Sequence, residues 1–257
     1  MSVKNVRTAP KEPAQFDDAF VTSLVRYGDS DCIARLFCKE RGRVAAFVRR
    51  GLAPSKKQGA VLQAPALAQV ALQSRKNAEL MSLVRFDLSS LAFEFTRPRL
   101  LGLAAYLMEI IELFLPEHEP VPSIFDDLKV VLGGLSKSDQ ERNALLRAFE
   151  LRLLDQCGYL PDLMHHVPLT SDGAISAYDP IESRFVSCPN AHTVEFSNEA
   201  RLLALALLEA PLSALPSCDN DLLRVVGRIF ASRLRLMNRG TLKSVAFLKN
   251  LEMKTPC

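Results

Sequence analysis

The stretch Ile33–Lys57, IARLFCKERGRVAAFVRRGLAPSKK, carries eight basic residues from Arg35 to Lys57 against one acid, Glu40. Its local charge of +7 exceeds the +3 of the whole chain. Two apolar arms flank Glu40-Arg41-Gly42, which predicts a β-hairpin followed by a glycine-bearing basic loop. Side chains alternate across a strand, so only every second residue shares a face. On the first arm Cys32, Ala34, Leu36 and Cys38 fall on one face, and Ile33, Arg35, Phe37 and Lys39 on the other. On the second arm Val44, Ala46 and Val48 are apolar, and Arg43, Ala45, Phe47 and Arg49 lie opposite. A face of cations and rings suits sequence-tolerant single-strand binding, because cations follow phosphates and any base stacks on a ring. A solvated sheet face is the plainer alternative, but ordinary surfaces intersperse both signs and this stretch hardly does.

Working outward, Ala19–Tyr27 is rich in β-branched and aromatic residues and ends at the turn Gly28-Asp29-Ser30, which predicts a strand. Val61–Gln73 is extended with a break at Pro65, and Glu79–Phe86 supplies a fifth strand. Five short strands in this space predict a small Greek-key barrel of the OB type. Arg97-Pro98-Arg99 marks a change of period from two to 3.6. Helices are expected at Leu100–Leu115, Ser123–Leu132, Ser138–Cys157, Ser197–Glu209, Asp219–Met237 and Leu242–Leu251. Ser138 and Glu141 form a capping box, and Gly158 is the natural stop of the third helix. The fold class is therefore α+β: a tail over 1–17, a five-stranded barrel over 18–97 and an all-α domain over 98–257, with an irregular insertion at 158–195.

The chain of 257 residues, 48% hydrophobic and 24% charged, is long enough to bury a core without staples. Six scattered cysteines make no disulfide framework and point to a reducing compartment. The N-terminus lacks a secretory core, and the apolar runs are broken by Glu109, Glu112 or Glu209, so a cytoplasmic protein without a membrane span is expected. Charge is segregated along the chain. Residues 109–127 hold six acids and no Lys or Arg, whereas 222–249 hold seven bases and no acid. Arg224, Arg228 and Arg235 recur at helical spacing beside an apolar stripe of Leu223, Val226, Phe230 and Leu234. That stripe is either a solvated basic face or a second patch for phosphate or an acidic peptide.

Nucleotide-loop, nucleophile-elbow and metalloprotease motifs are missing, so no enzyme is expected. His165, His166, Cys188 and His192 lie in the proline-rich insertion, where zinc is worth weighing. Adjacent His165-His166 chelates poorly and Cys188 lacks a CxxC mate, since Ala191 stands there; no metal or other cofactor is expected.

Four segments together resemble the bacterial recombination mediator family RecO: RYGDSDCIARLFCKERGRVAAFVRRG (26–51), LAPSKKQGAVLQAP (52–65), LRLLDQCGYLPDL (151–163) and RGTLKSVAFL (239–248). The resemblance covers nearly the whole chain. It implies an OB domain, a helical domain and a role in recombinational DNA repair in the bacterial cytoplasm, associated with the nucleoid. It also implies binding of single- and double-stranded DNA, annealing of complementary strands, and capture of the acidic tail of single-strand-binding protein. RecR, in some bacteria also RecF, would be partners in loading RecA. Many family members carry two CxxC pairs around the insertion; here His166 and Leu169 take the places of the first pair, and Cys188 and Ala191 those of the second. The insertion is thus a degenerate zinc-finger-like segment that packing must hold together.

Phosphate contacts are expected from Arg35, Lys39, Arg43, Arg49 and Arg50, stacking from Phe37 and Phe47, and a clamp from Lys56 and Lys57. A protein adaptor for acidic peptides and an RNA-binding OB protein remain alternatives, the latter sharing every residue-level feature.

Overall fold

The computed structural model describes residues 14–52, 61–74, 80–89, 97–164, 177–186, 189–237 and 242–254. The chain forms two compact units: one holds the N-terminal residues to Glu94 together with Met108–Phe125, the other Phe95–Leu107 and everything from Asp126.

In the first unit, β1 (Gln15–Tyr27), β2 (Asp31–Cys38), β3 (Gly42–Val48), β4 (Ala66–Gln73) and β5 (Met81–Leu88) close into a barrel in the order β1-β2-β3-β5-β4. All neighbouring pairs are antiparallel except β3 and β5, which meet in parallel at Ala46–Met81 and Phe47–Ser82 only. The alternation read from the sequence fills the interior: Cys32, Ala34, Leu36 and Cys38 pack with Val44, Ala46 and Val48, and with Val70, Leu72 and Phe86 from the far side. Small residues on β2 and β3 leave room for Phe86 inside so narrow a barrel. Gln15–Asp17, assigned to the tail by sequence, begin β1. Asp17 is buried there and accepts the Glu40 amide at 3.2 Å, which ties the hairpin turn to β1.

In the second unit the helices are α1 (Pro98–Phe114, its later turns belonging to the first unit), α2 (Pro122–Gly134, likewise shared), α3 (Asp139–Gln156), α4 (Asn198–Glu209), α5 (Asn220–Leu236) and α6 (Lys243–Lys254). Ser138 caps α3, accepting the Glu141 amide and donating its hydroxyl to the Glu141 carboxylate at 2.6 Å. At the other end Gly158 takes φ +69°, and the amides of Gly158 and Tyr159 bond the carbonyls of Asp155 and Leu154, a Schellman stop. The insertion contributes β6 (Ala177–Asp179), β7 (Arg184–Val186) and β8 (Val194–Glu195) in the order β7-β6-β8. Tyr178, Phe185 and Phe196 pack in a row, with centroids 5.6 and 5.3 Å apart. His165, His166, Leu169 and Cys188 lie outside the described residues. No helix among the described residues is long and apolar enough to cross a membrane.

Candidate nucleic-acid interface

The outer face of the hairpin is set by the register Ile33–Phe47, Arg35–Ala45 and Phe37–Arg43. One half of it is covered. Phe37, expected as a stacking platform, is 0% exposed, with its ring 5.6 Å from that of Phe125, which also packs on Phe20 at 4.8 Å. Its ring has no face left for a base. Arg43, expected on phosphate, keeps 17% of its side chain exposed; it donates to the Leu115 carbonyl and lies 3.8 Å from Glu117. Burial draws its guanidinium below the usual arginine range, partly offset by Glu117 and Glu112. Residues 115–119 thus lie along the open edge of β3, where the His118 amide bonds the Arg43 carbonyl at 2.9 Å. Gly42 makes this possible, because a Cβ there would stand 2.1 Å from the Glu119 carbonyl oxygen.

Arg35 lies at the boundary. Its side chain is 54% exposed, with the guanidinium 3.0 Å from Glu112, which also accepts the hydroxyls of Thr22 and Ser23. Burial alone would raise the Glu112 carboxyl, but these three hydrogen bonds outweigh it and hold the group below the usual carboxylate range. The acidic stretch of 109–127 is therefore in part a set of internal partners for hairpin arginines. The local +7 is smaller in effect than in count.

The other half is open. Val25, Tyr27, Ile33 and Phe47 line it, and the Tyr27 and Phe47 rings meet edge-to-face at 5.8 Å. Arg49 and Arg50 follow directly on Phe47 and Val48; both are exposed and have no ion pair among the described residues. The Arg50 amide bonds Asp31, the register partner of Tyr27, at 2.8 Å, which brings the arginine turn to the same end of the barrel. Lys39 is half-buried at the turn on the covered side, and Lys56 and Lys57 lie outside the described residues. Tyr27 is not among the residues that the sequence pattern singles out. The signal was there in β1, but a bulge between Val21 and Ser23 shifts the alternation by one, so counting from the strand start puts Tyr27 on the wrong face.

In the helical unit the stripe of Arg224, Arg228 and Arg235 divides between two grooves that share Gly227. Arg224, paired with Asp221 at 2.5 Å, and Arg228, bonded to the Glu195 carbonyl at 3.0 Å, line a polar groove of about 470 Å³. Arg235 lines an apolar groove of about 420 Å³ walled by Leu103, Leu146, Phe230 and Leu248, together with Arg147 and Lys249. The Arg147 guanidinium passes over Gly227, where a Cβ would lie 2.2 Å from it. Beneath it, buried Glu150 meets Arg147 at 2.7 Å and accepts the Tyr106 hydroxyl at 2.6 Å.

A closed five-stranded barrel in this strand order is an OB fold, a class whose open faces and loops hold oligonucleotides or oligosaccharides. Residues 15–91 match the family described as Recombination protein O N terminal, and residues 96–243 match Recombination protein O C terminal. The chain is 29% identical over 242 residues to a DNA repair protein RecO of Syntrophotalea carbinolica, covering 91% of this chain and 93% of that one. It is 32% identical over 247 residues to a DNA repair protein RecO of Pelotomaculum thermopropionicum, covering 90% and 92%. The chain belongs to the RecO family of DNA repair and recombination proteins.

Proposed function

We propose that this protein is a non-enzymatic mediator that binds single-stranded DNA, anneals complementary strands and helps load RecA onto DNA coated with single-strand-binding protein. The observation that carries the reading is the pair Tyr27–Phe47 on the open half of the barrel, next to the exposed Arg49 and Arg50, which have no ion pair among the described residues. Rings take up bases of any sequence, while the arginines, with Arg35 and the basic residues Lys56 and Lys57, track the backbone. Annealing needs no bond chemistry and no metal: neutralising two polyanions on one basic surface reduces their repulsion so that pairing proceeds. Tyr27→Ala or Phe47→Ala should each cost about 1–3 kcal/mol of affinity for an oligonucleotide. The double reversal Arg49→Glu, Arg50→Glu should weaken binding strongly and flatten its salt dependence. Unchanged affinity in that double variant would overturn the assignment.

The apolar groove with its rim of Arg147, Arg235 and Lys249 supports a second, compatible activity: capture of the acidic, Phe-ended tail of single-strand-binding protein. RecR, and in some bacteria RecF, complete the proposed set of partners. Arg235→Glu with Lys249→Glu should abolish binding of a labelled acidic, Phe-ended peptide while leaving oligonucleotide affinity in place. Peptide binding that survives this change would remove the groove from the account.

A further inference from the structure

We propose, building on the strand-binding face above, that Glu112 is an internal stand-in for a nucleic-acid phosphate, which a bound strand displaces in order to engage Arg35. Glu112 Oε1 accepts the Thr22 hydroxyl at 2.5 Å and the Ser23 hydroxyl at 2.7 Å, and Oε2 accepts Arg35 Nη1 at 3.0 Å. Hydroxyls and a guanidinium gathered around one anion are the donors that proteins offer to backbone phosphate.

The cradle is built by the β1 bulge. In a regular strand Thr22 and Ser23 would point to opposite faces; the register shift between Val21 and Ser23 leaves Thr22 as the extra residue and lets both hydroxyls reach Glu112. Solvent reaches the two charges unequally. The Arg35 side chain is 54% exposed and that of Glu112 only 19%, so an arriving phosphate meets the cation first. Half-exposed ion pairs are weak and screened, so a polyanion can displace the carboxylate from the guanidinium without unfolding the site. The carboxylate keeps its two hydroxyl donors throughout and returns when the strand leaves. Glu112 thereby sets a looser, more exchangeable grip than the bare cations would give.

The test is Glu112→Gln in the full chain, which keeps an acceptor for the hydroxyls and removes the charge. Anisotropy of a labelled oligothymidylate over a salt series should show affinity rising about two- to fivefold. The slope of log affinity against log salt should steepen by about 0.7, one further phosphate contact. In an Arg35→Gln background the same substitution should change neither. Ser23→Ala removes one hydroxyl donor from Glu112 and keeps both the Arg35 side chain and its backbone pairing with residue 23, and should shift binding in the same direction by a smaller factor even if Glu112→Gln does not fold. Unchanged affinity and slope in folded Glu112→Gln or Ser23→Ala, with the Arg49/Arg50 reversal still weakening binding, overturns the role of Glu112 and leaves the strand-binding face standing. An equal gain in the Arg35→Gln background overturns it as well, because Glu112 would then act only through net charge. If the Arg49/Arg50 reversal is also without effect, the face itself falls and the role of Glu112 with it.

Discussion

Replacing Gly42 by alanine separates the two halves of the hairpin face energetically. Gly42 opens β3 at φ +66°, and a Cβ there would lie 2.1 Å from the Glu119 carbonyl oxygen and 2.4 Å from its carbon. The left-handed conformation costs an alanine about 1–2 kcal/mol. The clash is with backbone, which has no rotamer to yield, so overpacking adds about 1–3 kcal/mol. A total of roughly 2–5 kcal/mol follows. Gly28 is the internal control: its φ is +71°, yet nothing among the described residues lies within 4 Å of its missing Cβ, so Gly28→Ala carries the conformational cost alone. At about 4–8 °C per kcal/mol for a unit of this size, Gly42→Ala should melt roughly 5–20 °C below Gly28→Ala in calorimetry. Hydrogen exchange gives a local reading, since displacing residues 115–119 frees the His118 amide from the Arg43 carbonyl. Equal melting shifts in the two variants, with His118 protection unchanged, would refute the close approach and the covering that depends on it.

Phe37→Ala should cost about 3–5 kcal/mol of stability as a core deletion, while Phe47→Ala lowers DNA affinity with a much smaller stability loss; melting and anisotropy on both variants check the contrast. Tyr106→Phe strips a hydrogen bond from buried Glu150 and should cost about 1–3 kcal/mol in urea unfolding. Burial pushes the Glu150 carboxyl up despite Arg147 and Tyr106, so above the ordinary glutamate value the folded chain holds a proton that the unfolded chain has lost. Stability should therefore fall as pH rises through that interval, and Glu150→Gln should flatten the slope of urea midpoint against pH. Burial raises the Cys38 thiol to about 12, so a thiol reagent at mildly alkaline pH should label it only in denaturant, as mass spectrometry would show.

The barrel and the helices were legible because their signals are local. Alternation over Cys32–Val48 put the right residues inside, and Ser138, Glu141 and Gly158 marked both ends of α3. The site was only half legible. Phe37 and Phe47 occupy equivalent places in the pattern, yet one is sealed by Phe125 and the other stands open beside Tyr27. Nothing within the hairpin distinguishes them, because the cover comes from residues some eighty positions away. In the sequence Glu112 is one acid in an acidic run. Its pairing with Arg35 depends on a helix end meeting a strand bulge, and neither the bulge nor the meeting leaves a local signature.

Which half is covered follows from the barrel closure. β5 pairs with β3 only at Ala46 and Phe47, so the edge of β3 before Ala46 would otherwise expose unpaired backbone groups. Residues 115–118 fill that gap through the Arg43 carbonyl and the Arg43–Glu117 bridge, and they bring Glu112 and Glu117 to the hairpin arginines. At the far end of β3 the edge is already taken by β5 and needs no cover, so Phe47 and Arg49 stay accessible. A parallel closure one or two residues earlier would have satisfied the edge near Gly42 and removed the need for the acidic segment. The aromatic, cationic end of the barrel is thus open for the same reason that the turn end is closed: the strand register decides where backbone still needs a partner.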